Sequence, residues 1–403
     1  MKVVQINAVY KTGSTGRITW ELHNALLNSG NDSFVFTSEA FAVDKGVFIV
    51  GNRCDRLIHA LGARITGKSG YFSIYATKRL VKKLIMINPD VIHLHNLHGN
   101  YINLPILFDY IHEYQPRVIV TLHDCWFYTG KCSHYTVDAC ERWRESCGKC
   151  PRLKKDIPSW FFDRTYELLS DKKRFFAGID RLDIVGVSKW ITKEAEKSFL
   201  GSIAHFSTIY NGIDLTLFHP IDAISVLRFK ETHGIAGKKV ILGVASGWCA
   251  AKGLNYFEFL AEKLPEEYII VLVGDYLETV PRHKNMMIYG STERAEELAF
   301  LYNSADVFFN ASKEESFGKV SAEALACGTP VICFPTTANP ELVDDGCGEI
   351  VSIDDSDALL QAVMKVINTN SPSIRQQCVL KAQKCFALDT NIDAYIRLYS
   401  QKI

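Results

Sequence analysis

The sequence predicts an α/β protein of two Rossmann-like lobes, each built on a parallel sheet. Three observations carry that expectation. The chain has 403 residues, and single hydrophobic cores stop growing at roughly 250–300 residues. Short apolar runs alternate with helix-length segments in both halves, as βα units do. The rhythm stops near residues 210–235, where Asn211-Gly212 and Pro220 interrupt it, and then starts again.

In the first half, Val3–Asn7 reads as a strand and Arg17–Ser29 as a helix ending before Gly30. Further strands are expected at Ser33–Thr37, Val91–His95 and Val118–Leu122, with Ile184–Val187 after a long irregular stretch. The second half restarts with strand Val240–Val244, a helix over Gly253–Leu264, and strands Tyr268–Val273 and Met286–Tyr289. A helix over Glu293–Asn303, strand Val307–Asn310, a short helix near Lys319–Ala326 and strand Val331–Cys333 complete the run. A last apolar-periodic segment, about 374–401, reads as helix, with no sheet partner visible.

Composition narrows the class. With 47% hydrophobic and 22% charged residues, disorder, collagen and coiled coil are excluded. No run of about 18 apolar residues is present, so no segment reads as a membrane-spanning helix. Met1-Lys2-Val3-Val4-Gln5-Ile6-Asn7 reads as a first strand and not as a signal peptide, which sets the expected compartment as the cytoplasm. The 45 basic and 45 acidic side chains cancel, but unevenly. Residues 1–215 carry 28 basic and 21 acidic groups, and residues 216–403 carry 17 and 24. Nucleic acid is not an expected partner of so balanced a chain.

The steepest excess is 52–87, with eight Lys or Arg and one acid, Asp55. Tyr71, Phe72, Ile74, Tyr75, Leu80, Val81 and Leu84 are interleaved there. Two readings stand: a solvated helix whose apolar side packs on its own core, or a segment lying on an anionic membrane surface.

The stretch Glu315-Ser316-Phe317-Gly318-Lys319-Val320-Ser321-Ala322-Glu323 follows a strand and runs on to Gly328-Thr329-Pro330-Val331. Gly318 opens a short helix, and Gly328 with Pro330 closes it. A helix start of this kind offers N–H groups and a positive dipole end to an anion such as pyrophosphate. Glu323, within the helix, is suited to accept hydrogen bonds from a ribose diol. Gly13 and Gly16, expected in the loop after the first strand, permit close backbone approach to a ligand. No Gly-x-Gly-x-x-Gly follows that strand, which counts against a hydride-transferring dinucleotide enzyme.

Five cysteines crowd residues 125–150, among them Cys132, Cys140, Cys147 and Cys150, with Trp126, Trp143 and His134 nearby. Cys147-Gly148-Lys149-Cys150 has zinc-knuckle spacing, and Cys132 and Cys140 complete a four-thiolate set for a structural zinc. Free thiols packed as small hydrophobes are the alternative. This insert, about 125–152, follows the His123 strand and is expected to edge a ligand cleft.

Glu315 and Glu323, separated by seven residues and followed by a small-residue helix and Gly-x-Pro-Val, resemble the hallmark of glycosyltransferase family 4. Thr12-Gly13-Ser14-Thr15-Gly16, Asp90-Val91-Ile92-His93-Leu94-His95, Leu122-His123-Asp124, Val187-Ser188-Lys189, Tyr210-Asn211-Gly212-Ile213-Asp214 and Lys252-Gly253 also fit, in order. The likeness is to bacterial enzymes of capsule, exopolysaccharide or lipopolysaccharide assembly. It implies a GT-B fold whose lobes face a central cleft. By it, 1–215 is an acceptor lobe, 216–380 a nucleotide-sugar donor lobe, and 381–403 a helix returning to the first lobe. It implies retaining transfer of a hexose-type sugar from a nucleotide-diphospho-sugar, without a catalytic metal, to a saccharide or lipid-linked oligosaccharide at the inner membrane face.

By the same resemblance, Glu323 holds the donor ribose and Glu315 lies by the donor sugar. The backbone of Ser316, Phe317 and Gly318 meets its hydroxyls, Lys252 sits on the pyrophosphate, and His123 faces the sugar. Similar enzymes carry an Arg six residues before this Lys, where Ser246 stands here. His93, His95 and His98 read more simply as hydrogen-bonded core histidines. A nucleotide-sugar epimerase of the same fold and a catalytically silent binding protein are the competing readings.

Overall fold

The computed structural model describes residues 1–40, 44–248, 252–276, 283–292, 294–344 and 346–401. The chain divides into two compact units, Met1–Ile209 with Ile392–Ile403, and Tyr210–Asn391.

In the first unit, strands β1 (Lys2–Tyr10), β2 (Asp32–Ala40), β3 (Val47–Ile49), β4 (Val91–Leu94), β5 (Arg117–Leu122), β6 (Leu182–Gly186) and β7 (His205–Thr208) form one sheet. Their order is β3-β2-β1-β4-β5-β6-β7, and every pairing is parallel. Val3, Val4 and Ile6 are wholly buried in the central strand. Apolar side chains on both faces are what a parallel sheet covered by helices on both sides requires. The crossovers are α1 (Gly13–Asn28), α2 (Arg53–Thr66), α3 (Ile74–Ile87), α4 (Leu104–Tyr114), α5 (Thr165–Phe176) and α6 (Lys189–Glu196). Strands β3 and β7 lacked an apolar run long enough to be foreseen.

The second unit carries α7 (Ala223–Thr232), β8 (Lys239–Trp248), α8 (Leu254–Lys263), β9 (Tyr268–Tyr276), β10 (Met286–Gly290), α9 (Ala295–Ser304) and β11 (Val307–Asn310). It continues through α10 (Lys319–Ala326), β12 (Val331–Cys333), β13 (Gly348–Ile350), α11 (Ser356–Thr369) and α12 (Pro372–Phe386). The parallel sheet runs β10-β9-β8-β11-β12-β13. The helix expected from Glu293 starts at Ala295, and Glu293 lies outside the described residues.

The single C-terminal helix expected over 374–401 is two, α12 and α13 (Leu388–Ser400). Ala387 between them is extended and bridges to Ile213. The Ile213 amide donates to Phe386 O at 2.7 Å, and the Leu388 amide donates to Ile213 O at 3.0 Å. Those bonds divert backbone groups that a continuous helix would use, and no Gly or Pro marks the place. A side chain at Gly212 would lie 2.6 Å from Leu388, so glycine is what lets the two segments meet.

The end of α13 packs on the first sheet, as the family resemblance implied. The Tyr399 hydroxyl lies 2.7 Å from His93 Nδ1 and the Tyr395 hydroxyl 3.0 Å from Thr121 Oγ1. Arg117 is the clamp: Nη1 donates to Leu398 O at 2.6 Å and Gln401 O at 2.9 Å, while Nε donates to Asp183 at 2.8 Å. Arg117 and Asp183 side chains are 3% and 7% exposed. Removing one partner of so buried a pair strands the other charge, at a cost of about 3–5 kcal/mol. Asp183→Ala is therefore expected to lose that much stability in urea unfolding; a loss below about 1 kcal/mol, the scale of exposed pairs, would show that the clamp contributes little.

Candidate active site

In the second unit the expected site residues gather at the carboxyl end of β11. Lys252 Nζ lies 2.9 Å from Glu315 Oε1 and 3.2 Å from Ser312 Oγ. The Glu315 amide donates to Thr337 Oγ1 at 2.9 Å, and its carbonyl accepts from the Ala338 amide at 3.2 Å. Asn310 braces the turn: its Oδ1 accepts from the Ser312 amide at 3.1 Å, and its Nδ2 donates to Ser321 Oγ at 2.9 Å and Asn339 Oδ1 at 3.2 Å. Gly253, at φ +75°, lets Lys252 approach, since a Cβ there would meet Ala311 O at 2.4 Å.

Gly318, at φ +89°, begins α10 without a side-chain cap. The first N–H groups of such a helix lack intrahelical partners. Ser316 Oγ is buried with no hydrogen-bond partner among the described residues, an arrangement that costs free energy unless a ligand completes it. Phe317 turns inward, 2% exposed, with Tyr210 and Phe386 rings 5.9 and 5.5 Å away, so its backbone is what it offers a ligand. Glu323 is 7% exposed and accepts from the Tyr302 hydroxyl at 3.1 Å. Ser246 is exposed on β8.

The first unit holds a chain of histidines at the ends of β4 and β5. His93 is wholly buried between Thr121 and Tyr399, the core histidine that its alternating spacing suggested. His95 does more. Its Nδ1 lies 2.9 Å from His123 Nε2 and its Nε2 lies 3.2 Å from Gln5 Oε1. Gln5 Nε2 donates to Thr19 O at 3.3 Å, which turns Oε1 toward His95 as an acceptor. His95 then carries its proton on Nε2 and accepts at Nδ1, so His123 carries its proton on Nε2 and presents Nδ1 as an acceptor. Burial pushes the His123 imidazole down to about 4 and holds His93 and His95 well below the usual range, so all three are neutral near pH 7.

Beside them His98 Nε2 lies 2.8 Å from Asp124 Oδ2, and the Trp126 amide donates to Asp124 at 2.9 Å. Burial alone would raise the Asp124 carboxyl; His98 and that amide outweigh it and hold it below its ordinary value. Sequence reasoning missed Gln5, whose one visible signal was a polar residue within the apolar strand Val3–Ile6. Gly13 and Gly16 lie in the first turns of α1, not in a loop. A Cβ on Gly16 would stand 3.2 Å from Val9 and 3.3 Å from the Lys11 amide, so its absence lets the helix begin against the end of β1.

Cys132, Cys140, Cys147 and Cys150 all line one small cavity, of about 20 Å³, beside Tyr135 and Trp143. The expected zinc cage is nevertheless not assembled. Among the described residues no three His, Cys, Asp or Glu side chains are placed to hold a metal ion. The Cys132 thiol instead donates a hydrogen bond to the Cys150 sulfur, which holds Cys150 down and Cys132 up. Cys147 accepts from the Gly130 amide at 3.3 Å, and burial pushes its thiol up to about 11. Two buried lysines order the insert. Lys172 Nζ donates to Trp126 O and Thr129 O and lies 3.6 Å from the Trp126 ring. Lys131 Nζ donates to Lys155 O at 2.8 Å and Ile157 O at 2.9 Å.

Two family models account for most of the chain. One describing glycosyltransferase family 4 matches residues 15–217, and one describing group 1 glycosyl transferases matches 238–369. The chain belongs to glycosyltransferase family 4. It is therefore a retaining glycosyltransferase. The putative colanic acid biosynthesis glycosyl transferase WcaC of Escherichia coli is 26% identical over 302 residues, covering 72% of this transferase and 68% of that protein. A 41.2 kDa protein from the cps region of Klebsiella pneumoniae is 21% identical across 99% of both chains. Alignments with three other bacterial relatives span between 50% and 59% of those proteins. Anabaena HepE, solved with UDP-glucose, superposes at a TM-score of 0.70 with 16% identity over 99% of each chain, which establishes a shared GT-B fold.

Proposed function

We propose that the transferase moves a hexose from a nucleotide-diphospho-sugar to a lipid-linked saccharide during assembly of a bacterial surface polysaccharide. The observation that carries this reading is the set at the carboxyl end of β11. Buried Glu323 is the ribose acceptor, the uncapped start of α10 and the Lys252 ammonium meet the pyrophosphate, and Ser316 donates its unpartnered hydroxyl to the sugar. Glu315 holds Lys252 in place until the donor arrives. A compact ammonium and oriented amides act most strongly as negative charge collects on the departing phosphate. In a retaining reaction at the leaving-group face, the acceptor oxygen bonds to the anomeric carbon as the bond to phosphate breaks. The departing phosphate oxygen takes the acceptor proton, so positioning replaces a protein base. Neutral His123, accepting at Nδ1, is suited to orient a sugar hydroxyl.

UDP-, GDP- and ADP-sugars, assayed for thermal stabilisation and slow hydrolysis, test the reading. One nucleotide class is expected to raise the melting temperature, since a ligand at 100 times its Kd stabilises by about 2.7 kcal/mol. Lys252→Ala is expected to slow its hydrolysis by about 100-fold or more. If no nucleotide-sugar in the panel binds or is hydrolysed, the reading fails.

The membrane part rests on α2 and α3. Helix α3 buries Ala76, Thr77, Leu80 and Leu84 and points Lys78, Arg79, Lys82 and Lys83 outward, the solvated-helix pattern. Both helices also depart from it: Leu57, Ile58, Leu61 and Ile65 of α2 and Ile74, Tyr75, Ile85 and Met86 of α3 are all exposed. Exposed apolar side chains beside a basic row suit an anionic bilayer surface, where each Lys or Arg contributes about 1 kcal/mol. Replacing Lys78, Arg79, Lys82 and Lys83 together with Ala is expected to weaken binding to phosphatidylglycerol-containing vesicles tenfold or more at low salt, with the difference shrinking as salt rises. Unchanged vesicle binding would retire this part.

A further inference from the structure

We propose that a cavity in the first unit, walled by Arg64, His98, Asn100 and Asp156, holds the phosphate-bearing head of the lipid-linked acceptor, with the lipid chain lying on the aromatic run Trp160-Phe161-Phe162. The inference deepens the acceptor reading above and rests on it.

The cavity, of about 200 Å³, lies between α2, the loop after β4 and the segment Asp156–Pro158 that follows the Cys-rich insert. That is room on the scale of one sugar ring or a diphosphate. Its walls differ in what they have left to offer. Asp156 is engaged by Arg152 Nε at 3.1 Å, and His98 by Asp124 at 2.8 Å. The Arg64 guanidinium and the Asn100 side-chain amide have no hydrogen-bond or ionic partner among the described residues. An unpaired guanidinium is a planar fork of donors that matches phosphate oxygens, and an amide beside it supplies further donors. The wall is held in place in advance, because the Lys131 ammonium, 3% exposed, binds the carbonyls of Lys155 and Ile157. Preorganisation of that kind reduces the ordering cost of binding.

The surroundings specify an amphiphile. The Trp160 amide donates to Arg64 O at 2.7 Å, so the aromatic run begins where Arg64 stands. Trp160, Phe161 and Phe162 are 48%, 68% and 50% exposed, and Leu61 and Ile65, on the same helix as Arg64, are 49% and 39% exposed. A free sugar leaves that apolar surface in water, and a simple bilayer contact leaves the cavity unused. A molecule with an anionic head and a hydrocarbon tail satisfies both. His98, on the cavity wall, is bonded to Asp124, the neighbour of His123 in the chain, so the bound head would lie beside the group assigned to the donor sugar.

Farnesyl diphosphate, with farnesol as the uncharged arm, tests the site by direct binding to the full-length transferase. Farnesyl diphosphate is expected to bind at least tenfold more tightly than farnesol. Arg64→Ala should remove most of that difference and Arg64→Lys restore part of it. Phe161→Ser should weaken both ligands. Stabilisation by the nucleotide-sugar should be unchanged in all three variants, which separates loss of this site from misfolding and from failure of the donor reading. Asn100→Ala, in the loop after β4 and outside α2, is the second variant should Arg64→Ala fail to fold, and a severalfold loss of diphosphate binding is expected. Wild-type affinity for farnesyl diphosphate in Arg64→Ala and Asn100→Ala, or no preference for the diphosphate over farnesol, overturns the proposal.

Discussion

Glu323→Ala is expected to raise the dissociation constant of the nucleotide-sugar by about 10–100-fold while changing turnover at saturation far less. A hydrogen bond to a charged group contributes roughly 1.5–3 kcal/mol, and each 1.4 kcal/mol is about tenfold in affinity. Glu323 is almost wholly buried on α10, so solvent cannot substitute for its carboxylate. The Tyr302 hydroxyl, wholly buried, donates to that carboxylate and loses this partner in the variant, so some loss of stability accompanies the loss of binding. Tyr302→Phe separates the two effects: it removes the supporting hydroxyl and leaves the carboxylate, and is expected to weaken the donor only slightly. Calorimetric titration of both variants decides the matter. A stable Glu323→Ala protein with wild-type donor affinity would place the ribose elsewhere.

The second large effect is on turnover. Lys252→Ala is expected to lower kcat by about 10²–10³-fold, the range seen when one preorganised donor to a developing anion is removed. Glu315→Ala leaves the ammonium free to move and should lower kcat with little change in KM, the signature of an interaction made mainly in the transition state. Because Nζ and Oε1 are 2.9 Å apart, the two losses should not add: the double variant is expected to fall well short of the product of the single effects. Strict additivity would show that Glu315 acts independently of Lys252, through the sugar itself.

The segment that pointed most directly to chemistry, Glu315 to Val331, was legible because it is continuous in the chain. A strand end, a tight turn, an uncapped helix and a Gly-x-Pro stop each leave a local mark at fixed spacing. The histidine chain was not legible. Gln5 lies in one strand and His95 and His123 just beyond the ends of two others, and parallel pairing brings them within hydrogen-bond distance. His123 stood out only through the family resemblance, His95 read as a core histidine, and Gln5 was marked by nothing but its polarity in an apolar strand. The basic stretch was legible as amphipathic, yet periodicity gives a helix two faces without stating which one the protein covers. Helix α3 buries Leu80 and Leu84 but leaves Ile74, Tyr75, Ile85 and Met86 in solvent, and α2 leaves Leu57, Ile58, Leu61 and Ile65 there.

What the sequence by itself determined was the architecture and the chemistry at one strand end, since hydrophobic periodicity and turn residues act over a few positions. Tertiary structure decided the rest. It broke the last helix at Ala387 by pairing it with Ile213, and it drew Tyr399 onto His93 across 306 residues of chain. It gathered four cysteines around one cavity but, among the described residues, set no three metal-ligating side chains to hold an ion, and it left the Arg64 guanidinium beside exposed aromatics with no partner among those residues. These outcomes share a physical cause. Whether a polar group finds a partner depends on which distant segments pack against it, and no local pattern of residues encodes that distance.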